Sequence, residues 1–100
     1  MMTMDTWKQA EARDFDAGFV MKELDPRQQY MLVQGLVQGL GYARFLRDRP
    51  DERGMVCIQQ WLFKEEGTKR WKIVEAFFRK HPDKPPAALV HALIKQECGT

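Results

Sequence analysis

Five prolines, at positions 26, 50, 82, 85 and 86, constrain this chain more than any other feature. Proline has no amide hydrogen and clashes with the preceding turn, so it is tolerated in the first turn of a helix and ends one elsewhere. Each proline therefore marks an edge, and the intervals between edges have helical length. Asp25, Pro26 and Gln28 form a start signal: Asp25 accepts free backbone N–H groups, Pro26 suits the first helical position and Gln28 completes a capping box. From there Tyr30, Val33, Val37 and Leu40 recur on one side, and Leu32, Leu36, Ala43 and Leu46 widen the stripe until "RDRPDERG" stops it at Pro50. This is the expected central helix.

The other intervals read similarly. Upstream, Trp7, Ala10, Phe15, Phe19 and Met21 stand on mixed helical spacings interrupted by Gly18, which predicts one or two short helices. After Gly54, "MVCIQQWLFKEE" does not alternate as a strand should, and its helical neighbours favour helix. Gly67 ends that run and Thr68 can cap the next, in which Trp71, Val74 and Phe78 share a side with Ile73 and Phe77 beside them, up to Pro82. Pro85 and Pro86 open the last helix, with Leu89, Val90, Leu93 and Ile94 inward and Cys98 with Gly99 at its end. A chain of 100 residues builds one core, so residues 1–100 form a single all-α domain, a bundle of four to five helices.

Composition removes several functions. Sixteen basic against fourteen acidic side chains give a net charge of only +2, far from the strongly basic balance of a nucleic-acid binder. There is no serine and no asparagine, so serine-nucleophile hydrolysis and N-glycosylation are excluded. No run approaches the roughly 20 apolar residues of a membrane helix, and no basic stretch followed by an apolar core precedes the first helix. The chain as read is therefore soluble and carries no export signal, and a trimmed mature chain would read the same way.

Gly35 and Gly39 lie one turn apart inside the central helix, each about 1 kcal/mol worse than alanine there. Their spacing resembles that of a membrane dimer, but Gln34, Gln38 and Arg44 interrupt the apolar run. The expectation is close packing of Gly35 or Gly39 against the aromatic helix of Trp71, Phe77 and Phe78. Gly39→Leu would then overpack the core by about 1 to 3 kcal/mol.

Cys57 and Cys98 read equally well as two buried thiols or as a disulfide, depending on compartment. With His81 and His91 they lack the paired spacing of a zinc site, and nothing around them matches a cysteine-protease signature, so no catalytic, metal or cofactor residue is assigned. His81, before Pro82, reads as the decoration of a helix end. Trp61 and Trp71 read as core. Two charged stretches remain. Arg44, Arg47, Arg49 and Arg53 surround the Pro50 turn, and Glu65, Glu66, Lys69 and Arg70 lie in "KEEGTKR". Such runs are usually solvated faces, but loops of mixed charge on a rigid bundle also steer and select protein partners.

In order along residues 30–98, the stretch "YMLVQGLVQGLGYA", Cys57 with Ile58, "IVEAFFRKHPDKPPAALVHALIK" and Cys98 resemble the Tai-like and Rap-like immunity proteins of type VI secretion systems. Gln59 and Gln60 stand where that family tends to have proline and an acidic or small residue. The resemblance implies a small helical periplasmic domain, with Cys57 bonded to Cys98, that inhibits a secreted peptidoglycan amidase and is not an enzyme. For such an inhibitor, the two charged stretches are the expected partner contacts: Arg47, Arg49 and Arg53 on one, and Glu65, Glu66, Lys69 and Arg70 on the other. Neither nucleic acid nor membrane insertion is expected, and a homodimer is compatible. The alternative is a periplasmic chaperone-like or structural protein-binding module, and a chain that was never exported would instead be cytoplasmic.

Overall fold

The structure, a computed structural model, describes residues 15–64 and 68–99. Among these residues it is all helix: α1 (Ala17–Glu23), α2 (Pro26–Asp48), α3 (Arg53–Gln60) continued by a 3-10 turn (Trp61–Phe63), α4 (Thr68–Lys80) and α5 (Pro86–Cys98). No described helix is long and apolar enough to cross a membrane. The start signal works as read. The Asp25 carboxylate accepts from the Gln28 amide at 2.8 Å, and the Gln28 side chain accepts from the Asp25 amide at 3.0 Å, closing a reciprocal capping box before Pro26. At the other end α2 stops at Asp48, just before a cis Arg49–Pro50 bond.

The chain reverses over 49–52, and α3 runs back along the C-terminal half of α2, pairing Gly41 with Gln59 and Arg44 with Gly54. A Cβ on Gly41 would sit 2.8 Å from the Gln59 side chain, so the absence of a side chain there lets the two helices meet closely. α5 packs against α2, α3 and α4, while α1 lies on α4. Trp61, Leu62, Val33, Val37, Val74, Phe78, Val90 and Ile94 fill the interior. Every residue assigned inward on the last helix is buried there.

Three expectations are corrected, those on Gly35 and Gly39, on Ile73 and on Gly18. Gly35 and Gly39 do not face the aromatic helix: a Cβ on either meets nothing within 4 Å, because both lie on the side of α2 turned away from the core. Of the three glycines in that stretch only Gly41 is used for close packing. Ile73 is exposed, one position off the buried Val74. Phe15 and Phe19 also lie outside the core, packing on each other with ring centroids 5.8 Å apart. Gly18 does not interrupt a helix. It lies inside α1, where its amide donates to the Pro82 carbonyl at 2.8 Å and docks α1 on the α4–α5 loop. Trp7 and Ala10 lie outside the described residues.

One buried polar side chain orders the entry to α2. The Gln29 amide nitrogen lies 2.9 Å from the Leu24 carbonyl and 3.3 Å from that of Val20, so it supplies donors where α1 has none left to offer its last turn. This fixes the angle between α1 and α2. Because Gly39 faces open space, Gly39→Leu does not overpack; helix propensity predicts a gain of about 0.5 to 1 kcal/mol. Thermal melting at low protein concentration checks this, and a lowered midpoint would return Gly39 to the core.

Candidate functional site

The last turn of α5 is where the rest of the bundle converges. Cys98 is bonded to Cys57 on α3, with the Cα atoms 5.8 Å apart. The residues between the two cysteines form a loop whose closure stabilises the fold by on the order of 4 kcal/mol in the chain-entropy account. With both sulfurs in this bond, neither cysteine is a thiolate nucleophile or a metal ligand. Beside the bond, Arg44 of α2 reaches past α3. Its Nη2 donates to the Cys98 carbonyl at 3.0 Å and its Nη1 to the Gly99 carbonyl at 3.2 Å, while Nε donates to Asp48 at 2.8 Å. The guanidinium thus meets carbonyls that no later turn of α5 could satisfy, at the negative end of its dipole.

Gly54 makes that reach possible. A Cβ at position 54 would lie 2.5 Å from the Arg44 Nε. On the next face of the same turn, Glu97 takes an ion pair from Arg70 and a second from Lys64 at 3.4 Å. Arg70 also lies over the Trp61 ring, its guanidinium carbon 5.0 Å from the centroid.

This overturns one assigned contact residue. Arg70 is only 6% exposed, held between an aromatic face and a carboxylate, so it belongs to the interior rather than to a partner surface. Lys69, its neighbour, is exposed. Glu65 and Glu66 lie outside the described residues, as does Gly67. Arg47, Arg49 and Arg53 are all exposed, as expected. They do not form a plain cationic patch, however. Arg47 Nε donates to Asp48 at 2.8 Å, and Arg53 Nη2 donates to Asp51 at 2.8 Å. The turn is a lattice of alternating charge.

Of the second charged stretch, the structure ties Arg70 to the end that carries the arginine-rich turn. A groove of about 270 Å³ runs from Asp51 and Arg53 across the disulfide to Glu97, which holds Arg70. A neighbouring groove of about 220 Å³ has an apolar floor of Leu40, Ile58 and Ile94 beneath Arg47 and His91. His81 lies elsewhere, just past α4, with its ring edge-on to Phe77 at 4.8 Å. Trp61 is core, and Trp71 is half-buried against Tyr30, edge to face at 5.4 Å. Among the described residues no group of three histidines, cysteines or carboxylates could hold a metal ion. Chain spacing alone did not reveal Arg44, Gly54 and Glu97 as the organisers of this end. Arg44 with Asp48 one turn on was visible in the sequence, but its reach to α5 was not.

No family model matches the chain, and no curated protein or solved structure matches it either.

Two measurements follow from this geometry. Gly54→Ala would push Arg44 off the Cys98 and Gly99 carbonyls and lower stability by about 1 to 2 kcal/mol. Adding the same change to Arg44→Ala would have almost no further effect in a denaturant titration. A large additional loss in the double variant would show that Gly54 acts through something other than Arg44.

The second concerns acid. Hydrogen bonds from Arg53, first from its side chain and then from its backbone, hold the Asp51 carboxyl far below the ordinary aspartate range. Hydrogen bonds from Arg47 and then Arg44 lower Asp48. A folded-state value below the unfolded one contributes stability above about pH 4 that disappears as the pH falls through the lowered value. Carboxyl NMR should find Asp51 ionised well below pH 4, and Arg53→Ala should return it toward its ordinary midpoint; an ordinary midpoint in the unmodified protein would refute the pairing.

Proposed function

We propose that this protein is an immunity protein that binds and blocks a secreted cell-wall amidase of a type VI secretion system, and that it acts in the periplasm without catalysis of its own. The reading rests on one observation. The motifs that resemble the Tai-like and Rap-like proteins occur in the same order, and the two cysteines among them, Cys57 opening one and Cys98 closing the last, are joined in a helical bundle. A disulfide between distant helices persists in an oxidising compartment, which supports the periplasm.

The mechanism is occlusion. The disulfide and the Arg44 bridge make the end of the bundle rigid, so the turn carrying Arg47, Arg49 and Arg53 can be pressed into a substrate groove with little loss of entropy. Their guanidinium groups, interleaved with Asp48 and Asp51, meet a partner surface of complementary alternating charge, and the apolar-floored groove lined by Arg47 and His91 accepts an anchoring side chain. The stem peptide of peptidoglycan is then excluded by volume.

The test looks first for a small cell-wall amidase encoded among the genes next to this one, whose absence would count against the proposal, and then measures its inhibition. Hydrolysis of isolated peptidoglycan should fall to background at equimolar oxidised chain. Arg49→Glu should weaken inhibition by roughly tenfold, mainly through a slower, salt-sensitive association, with an unchanged melting curve. Full hydrolysis at excess chain, together with no co-elution of the two proteins, would sink the proposal.

A further inference from the structure

Helix α4 carries its charge unevenly. Between Thr68 and Lys80 the basic residues Lys69, Arg70, Lys72, Arg79 and Lys80 accompany the single carboxylate of Glu75, in a chain whose net charge is only +2. Arg70 is turned inward to Glu97, but Lys69, Lys72, Arg79 and Lys80 are exposed. With the exposed Ile73 and Ala76 these four occupy about one third of the helix circumference, opposite the buried Val74 and Phe78. None of the four has an ion-pair partner among the described residues, and Glu75, half-buried, stands at the edge of the face. The arginine-rich turn differs, because Arg47 and Arg53 are paired there with Asp48 and Asp51.

The arrangement on this face says what it meets. Ile73 is 45% exposed, and with Ala76 it lies between Lys69 and Lys72 on the N-terminal side and Arg79 and Lys80 on the C-terminal side. Uncompensated cations that frame exposed apolar atoms match a phospholipid surface: the long basic stems lie along the apolar boundary while their charged heads reach the phosphates. A nucleic acid would meet the cations equally well but would leave Ile73 without a role, and no asparagine, glutamine or aromatic side chain lies on this face to read or stack on bases. The face spans about 17 Å along a helix already held by the core, so its charges are ordered before contact.

We infer that the exposed face of α4 is a peripheral docking surface for a bilayer containing anionic phospholipid, with Lys69, Lys72, Arg79 and Lys80 on the headgroup phosphates and Ile73 at the boundary with the acyl chains. The protein lies on the surface and does not span it, since no described helix is long and apolar enough to cross. Attachment is reversible and salt-sensitive, because a short basic face with one exposed aliphatic side chain falls short of a permanent anchor. The inference is independent of the amidase reading and uses none of the residues of the arginine-rich turn.

Co-sedimentation of the full oxidised chain with vesicles tests it. Phosphatidylcholine vesicles containing about 30% phosphatidylglycerol should retain the chain at low salt, pure phosphatidylcholine should not, and about 0.5 M salt should release it. Lys72→Glu removes one attraction and adds one repulsion, so it should weaken binding roughly tenfold or more, whereas Arg49→Glu should cost far less. Ile73→Gln keeps the charge and should weaken binding by roughly threefold. Melting curves of the variants identify any loss of folding. No retention by the anionic vesicles, equal losses for Lys72→Glu and Arg49→Glu, or unchanged binding by Ile73→Gln would each overturn the inference. Release of the chain by duplex DNA at equal phosphate concentration would also overturn it, in favour of a nucleic-acid face.

Discussion

The C-terminal carbonyls of α5 are the point on which the arrangement of the bundle depends. A helix end leaves acceptors that must be met, and here a guanidinium from another helix meets them. Arg44 could do this only because it is anchored by Asp48 and because Gly54 leaves its path open. Around that contact, Cys98 is bonded to α3 and Glu97 is paired with Arg70 and Lys64. One helical turn is therefore fixed by α2, α3, the 3-10 turn and α4 together. Arg70 has lost nearly all contact with water, and its burial is tolerable because the Trp61 face and the Glu97 carboxylate replace its solvation.

The same end holds the residues proposed to meet a partner. Its arginines are distributed among aspartates, so the field they present is local and directional rather than a broad positive potential. Such a surface is selective for a partner with matching alternation and attracts polyanions weakly. Its rigidity comes from the bridge beneath it, not from the turn itself.

Helix edges were legible in the sequence because they depend on local chemistry. Asp25, Pro26 and Gln28 need only one another to make a cap. The inward face of α5 was legible because a helix packed on three neighbours shows a wide apolar stripe. Periodicity was less informative on α2 and α4, where it groups residues on faces but does not say which face is covered. Ile73 therefore joined the stripe of Val74 on paper and lies outside it in space. The glycines failed for a related reason. A missing side chain is compatible with close packing and with open surface, and only the path of α3 shows that Gly41 belongs to the first and Gly35 and Gly39 to the second. At the candidate site the exposed arginines were evident, whereas the burial of Arg70 depended on Trp61 and Glu97, both distant in sequence.

The contact between Arg44 and Gly54 has a consequence for how this sequence can drift. While Arg44 is present, every residue with a side chain is disfavoured at position 54, and the constraint disappears once Arg44 is gone. The two positions are therefore epistatic, with an order to their changes. Lineages descending from this protein should keep both residues or lose the arginine first, and a side chain at position 54 should mark a branch in which α5 has found another way to end.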